Sequence, residues 1–163
     1  MYKRQIFSRP YGAFSKLFIG TPKALWIDAT EFYGLNEQHN RFTASFVDLN
    51  GDFKQDLVIA QDTGVIETWK QSSKNKIERV DNPSVNSYPM GLGFGDINND
   101  GLVDVWASNV GHTLPSSLFR GDLPDDAEFN SDYYLLENQG NFKFQDVAKD
   151  KRCLLYTSPS PRD

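Results

Sequence analysis

Two nine-residue polar loops, each framed by apolar segments of strand length, organise the chain. They read DLNGDFKQD (48–56) and DINNDGLVD (96–104). Ahead of them lie RFTASFV (41–47) and MGLGFG (90–95), and behind them come almost unbroken apolar runs, LVIA (57–60) and VWA (105–107). Short runs of that kind predict strands buried on both faces. After the first run, GVIETWK (64–70) alternates, with Val65 and Trp69 on one side and Ile66 on the other. A polar turn, QSSKN, separates it from KIERV (76–80), a further strand. The pattern returns as YYLLEN (133–138), a turn QGN, and FKFQDV (142–147).

The two loops stand 48 residues apart, and self-similarity at such a period signals stacked structural repeats. Near the start, KLFIG (16–20) and ALWIDAT (24–30) read as the last two strands of a preceding unit, because LWIDA matches KFQDV. Each unit is then four antiparallel strands in about 50 residues, the size of a propeller blade. The fold class expected is all-β, a partial β-propeller of about two and a half blades: a blade part at 6–40, a blade at 41–87 and a blade at 88–152. The last blade carries an insertion at 110–131, bounded by Val110 and Ser131, rich in Ser, Gly and Pro.

Composition adds exclusions. Hydrophobic residues at 39% and charged residues at 24% are ordinary for a globular chain, and 13% aromatics against 2 Met favour strands. Seventeen basic against 22 acidic side chains give a net charge of -5, which argues against a nucleic-acid-binding face. No stretch approaches the roughly 18 consecutive apolar residues of a membrane span. Both ends read as foreign: CLLYTSPSPRD (153–163) and MYKRQ (1–5) match translated sequencing-adapter sequence in opposite orientations. Residues 6–152 are then the natural stretch, open at both ends. Leaving out three basic and one acidic side chain shifts its charge to -7 and removes the single cysteine, Cys153.

The loops carry the candidate chemistry. Positions 1, 3, 5 and 9 offer side-chain oxygens: Asp48, Asn50, Asp52 and Asp56 in the first, Asp96, Asn98, Asp100 and Asp104 in the second. Position 7, Lys54 or Leu102, offers its backbone carbonyl. Hard oxygen donors on a tight loop suit Ca²⁺. Two carboxylates 4 Å apart repel by about 4 kcal/mol at an effective dielectric near 20, so a loop gathering three of them calls for a cation. An EF-hand would need a bidentate acid at position 12, where this chain has Ile59 or Ala107. Position 6 is Gly101 in the second loop but Phe53 in the first. A left-handed backbone there costs a non-glycine residue roughly 1–2 kcal/mol, so the second loop is expected to bind more tightly.

At these residues the chain resembles the FG-GAP/VCBS repeats of integrin-α-like β-propellers. It is most similar to bacterial cartilage-acidic-protein-like proteins associated with ASPIC/UnbV-type domains. MGLGFGDINNDGLVDVWASNVG, FVDLNGDFKQDLVIAQDTG and YLLENQGNFKFQDVA carry the likeness. It implies a metal loop between the first and second strands of a blade, structural Ca²⁺ on the ligands named above, and an extracellular, surface or periplasmic location. The function expected is a non-catalytic binding or adhesion module for a protein or glycan partner. In a meandering blade the loops and the insertion fall on opposite faces, and the partner is expected on the insertion's face. The alternative is the propeller part of a secreted carbohydrate-active enzyme, a lyase or hydrolase. Its candidates are weak: His39 and His112 read as loop residues, Asp122, Asp125, Asp126 and Glu128 as a solvated acidic run, and Trp26, Trp69 and Trp106 as blade packing. No catalytic or cofactor-binding residue is assigned.

Overall fold

The computed structural model describes residues 13–111 and 127–151. Among them are twelve strands and no α-helix. Two-residue strands β1 (Ala13–Phe14) and β4 (Gln38–His39) pair with each other, and β2 (Phe18–Gly20) and β3 (Trp26–Asp28) form a hairpin between them. Then β5 (Arg41–Val47), β6 (Asp56–Gln61), β7 (Ile66–Ser73) and β8 (Lys76–Val80) make one antiparallel sheet in chain order. A second sheet of the same plan follows, from β9 (Pro89–Gly95), β10 (Asp104–Asn109), β11 (Tyr134–Asn138) and β12 (Phe144–Asp146). The expected all-β class and the repeated four-stranded antiparallel unit are both present.

The early hairpin repeats the last two strands of the second sheet, as the LWIDA/KFQDV match predicts. Ala29 N–H donates to Leu17 C=O at 2.8 Å, and Val147 N–H donates to Leu135 C=O at 2.9 Å. In each case an aspartate Oδ1 two residues earlier turns the chain: Asp28 accepts from Thr30 N–H, Asp146 from Ala148 N–H.

Every residue of β6 is buried, which is what an unbroken apolar run requires of a strand covered on both sides. Leu57 and Ile59 join Trp69 and Leu35 on one face, with Leu17, Tyr33 and Ile77 packed against them. Val58 and Ile66 point the other way, into a core shared with Val105, Ala107, Tyr134, Leu136 and Phe142 of the next sheet. Each such side chain contributes roughly 1.5–3 kcal/mol on burial, so the seam between the two sheets is a main source of stability. Trp106 holds in β10 the place that Val58 holds in β6. Val58 is fully covered, whereas Trp106 is 38% exposed and leans on Tyr133, ring centroids 5.8 Å apart.

Three local expectations are corrected. The strand expected from Gly64 begins at Ile66, leaving Val65 outside it, because Gly64 pairs with Ser87 instead. The same strand runs on through the expected QSS turn to Ser73; an irregularity between Gln71 and Ser73 lets Ser73 pair with Lys76. The strand expected from Phe142 starts at Phe144, since Asn141 and Phe142 are left-handed (φ 51° and 58°) inside a turn closed by Gln139 N–H to Lys143 C=O at 2.8 Å. The proposed foreign ends and most of the insertion, residues 112–126, lie outside the described residues.

Candidate metal centre

Each acidic loop links the first strand of its sheet to the second, and its side chains fold inward onto its own backbone. In the first, Asp48 Oδ1 accepts from the N–H groups of Asn50, Gly51 and Asp52 at 3.3, 2.8 and 3.2 Å, and Oδ2 from Phe53 at 2.8 Å. Asn50 Oδ1 also accepts from Asp52 N–H, and Asp52 Oδ1 from Lys54 N–H. The second loop repeats this: Asp96 accepts from Asp100 and Gly101 N–H, Asn98 Oδ1 from Asp100 N–H, and Asp100 Oδ1 from Leu102 N–H. Alternating Asp and Asn are suited to such turns because a short side-chain acceptor reaches the backbone two residues on.

Position 9 does something different. Asp56 is fully buried, and its Oδ2 accepts from Leu49 N–H at 3.0 Å while Oδ1 accepts from Gln71 N–H at 2.8 Å. Asp104, 1% exposed, does the same with Ile97 N–H at 2.8 Å and Asn138 N–H at 2.7 Å. These acids pin the loop to the third strand of the sheet. Burial pushes the Asp56 carboxyl up, against the pull of its two N–H donors, and the charges of Asp52 and Asp48 push the same way.

The loops differ in charge. Lys54 Nζ sits 2.8 Å from Asp52 Oδ2, a cation already standing on the first loop, and its hydrogen bond holds the Asp52 carboxyl below the usual range. Among the described residues no lysine or arginine pairs with Asp96, Asp100 or Asp104, and position 7 there is Leu102. They differ in backbone too. Positions 4 and 6 are left-handed in both: Gly51 (φ 72°) and Phe53 (φ 62°), Asn99 (φ 61°) and Gly101 (φ 86°). Position 6 is left-handed as the glycine at Gly101 predicts, whereas position 4, glycine in one loop and asparagine in the other, gives no matching signal in the sequence. Asn tolerates that conformation better than Phe, so the second loop carries less strain.

The donor set fits a hard cation, since every side chain concerned supplies oxygen. Asp48, Asn50 and Asp52 are drawn together on one turn, as are Asp96, Asn98 and Asp100. Among the described residues, however, no three acidic, histidine or cysteine side chains form one closed cluster. Position 3 is an amide, and position 9 is engaged with the sheet.

Of the remaining candidates, Trp69 is 8% exposed, packed with Leu35, Leu57 and Ile59 on the face of the first sheet turned away from the second, and Trp26 is 73% exposed on β3. His39 stands 2.9 Å from Glu37 and 4.0 Å from Glu67. Glu128 offers its carbonyl to the Asn86 side chain. His112, Asp122, Asp125 and Asp126 lie outside the described residues. Two buried groups escape the sequence reading. Glu67, wholly buried, receives Arg41, Gln61 and the Trp69 indole N–H. Asn138 bridges both loops. Both are polar residues inside strand patterns, and their partners are far away in sequence.

Repeated four-stranded meanders, packed face to face with an acidic loop between first and second strands, define a β-propeller-type repeat module. The model of the FG-GAP-like repeat family matches residues 18–107, a span that runs from β2 into β10 and includes both loops; the chain belongs to that family. No curated protein and no solved structure matches it.

Proposed function

We propose that the chain is a calcium-stabilised, non-catalytic propeller module that works outside the cell, at its surface or in the periplasm, as a binding or adhesion surface. The observation that carries this reading is the second acidic loop. Asp96 and Asp100 share one short turn, Asp104 opens the strand that follows it, and no basic side chain is paired to any of the three among the described residues. Asp96, Asn98, Asp100, Asp104 and the Leu102 carbonyl would hold the ion there. Asp48, Asn50, Asp52, Asp56 and the Lys54 carbonyl would hold another in the first loop. Bound calcium would supply positive charge where like charges crowd, and the position-9 acids would pass that order to the third strand.

Strand order supports a division of labour between the two ends of the sheets. The acidic loops and the turns after β7 and β11 lie at one end, and the connections after β6 and β10 at the other. At that second end the chain returning from 112–126 is firmly tied. Asn130 N–H donates to Asn86 C=O at 2.9 Å, and the Asn109 amide donates to the carbonyls of Asn130 and Asp132 at 2.8 and 2.9 Å. A connection on rigid supports is where recognition residues are commonly carried.

Calorimetric titration of the full chain with calcium chloride tests the metal reading. Two sites are expected, with one lost in Asp100→Ala and one in Asp52→Ala; unchanged stoichiometry in both variants would refute the ligand assignment. Retention of the full chain on a glycan array, lost when 112–126 is replaced by a short Gly-Ser turn while calcium uptake persists, tests the recognition face.

A further inference from the structure

Asn138, at the end of β11, is 1% exposed and touches both acidic loops. Its backbone N–H donates to Asp104 Oδ1 at 2.7 Å, and its side-chain amide donates to Val103 C=O at 3.1 Å, both in the second loop. The same amide crosses the seam between the sheets and donates to Leu49 C=O at 2.7 Å, in the first loop. Its Oδ1 accepts from Gly140 N–H at 3.0 Å, which fixes the orientation of the amide. The other side of the Leu49 residue is also engaged, its N–H donating to Asp56 Oδ2 at 3.0 Å. The position-9 acids of the two loops are therefore joined by one hydrogen-bonded path: Asp56 carboxylate, Leu49 backbone, Asn138, Asp104 carboxylate. All four residues are buried. Gln71, the counterpart of Asn138 in the first sheet, donates its backbone N–H to Asp56 at 2.8 Å but ties no second loop among the described residues.

We propose that Asn138 couples cation uptake in the two loops, so that filling either raises the affinity of the other. This deepens the calcium reading and rests on it. A cation that settles the acids of one loop orders Leu49 or Val103, and both carbonyls are held by the same amide. The second loop then has less left to order, which is positive cooperativity without any large movement. The effect is reciprocal by linkage, and a factor of about five or more lies within the usual range.

The test is a cycle of calcium titrations by calorimetry on the full chain. Disabling the second loop with Asp96→Ala and Asp100→Ala should weaken uptake by the first loop about fivefold or more. The same pair of substitutions added to Asn138→Ala should leave the first loop's affinity as Asn138→Ala alone sets it. Coupling that survives Asn138→Ala, or a first loop indifferent to the second in the unsubstituted chain, overturns the proposal while leaving the calcium reading intact. Absence of any uptake in the unsubstituted chain overturns the calcium reading and this inference together. Asn138→Ala takes this donor from the buried Leu49 carbonyl and the half-buried Val103 carbonyl, so a second measurement keeps Asn138. With the first loop disabled by Asp48→Ala and Asp52→Ala, calcium at the second loop should slow hydrogen exchange at Leu49 N–H. Unchanged exchange there overturns the proposal.

Discussion

Removing Glu67 should unbalance the seam that joins the early hairpin region to the first sheet. Its side chain is fully buried and faces the Arg41 guanidinium, itself 5% exposed, with Arg41 Nη2 3.1 Å from Oε2 and Nε at 3.2 Å. Gln61 and the Trp69 indole also donate to it, the latter at 2.9 Å, and Arg41 Nη1 goes on to Leu35 C=O at 3.1 Å. Glu67→Ala leaves the arginine buried without its counter-charge, a defect that costs about 3–5 kcal/mol in comparable settings. The loss of an acceptor for Gln61 and Trp69 belongs to the same defect and should not be added in full. For a chain of this size each kcal/mol moves the melting temperature by about 2–4 °C, so a fall of about 6–20 °C is expected. Urea unfolding followed by tryptophan fluorescence measures the free energy directly. The double variant Arg41→Met/Glu67→Leu removes both charges and fills the same space, so it should lie within about 2 kcal/mol of the parent. A loss under about 1 kcal/mol for Glu67→Ala, or a double variant no better than the single one, would show that the pair does not carry the seam.

The remaining predictions concern the loops, a buried acid and the open faces. Phe53 is left-handed and 96% exposed, so Phe53→Gly relieves strain without losing packing; it should stabilise the fold by about 0.5–1 kcal/mol and tighten calcium in the first loop, and a loss of stability would contradict this. In the unsubstituted chain the second loop should bind calcium more tightly than the first, because it has Gly101 at position 6 and no lysine pairing with its acids; equal affinities by calorimetry would remove that ordering. Asp62 Oδ1 is buried without a hydrogen-bond partner, and burial pushes the Asp62 carboxyl up. The fold thus favours its protonated form, and stability falls as pH rises from about 4 through the raised folded value. Asp62→Asn should match the parent below about pH 4 and exceed it above that window, whereas a pH-independent difference would exclude the titration as cause. Finally, Trp26 and Leu25 on one side of the molecule and Trp106 and Ile97 on the other are exposed. Apolar sheet faces of this kind promote association, so sedimentation should show assembly that weakens in Trp26→Glu and Trp106→Glu; a monomer at every concentration would count against it.

What was legible in the chain was what neighbouring residues decide among themselves. LVIA announces a buried second strand because a run apolar on both faces has few other uses, and the structure covers every residue of β6; in VWA only Val105 and Ala107 are covered, while Trp106 between them is exposed. The acidic loops were legible for the same reason: Asp48 meets N–H donors two to five residues away, within reach of one turn. Boundaries were less so. The strand at Gln71–Ser73 persisted because Asp56, 15 residues earlier, holds Gln71 N–H, and a polar QSS segment gives no sign of that partner. Phe142 looked like the first residue of a strand, yet its side chain is buried in the seam from a left-handed turn. Position 4 was missed because Gly51 and Asn99 are different residues performing the same backbone task. The groups that join one sheet to another were hidden altogether. Glu67 draws Arg41 from 26 residues away and Asn138 draws Leu49 from 89, and in a strand pattern both read only as polar interruptions. A buried polar group must find its hydrogen-bond partners or destabilise the fold by a few kcal/mol. An acid or amide embedded in otherwise apolar strand sequence is therefore itself a signal. It says that a partner exists across a seam, even where it cannot say which residue that partner is.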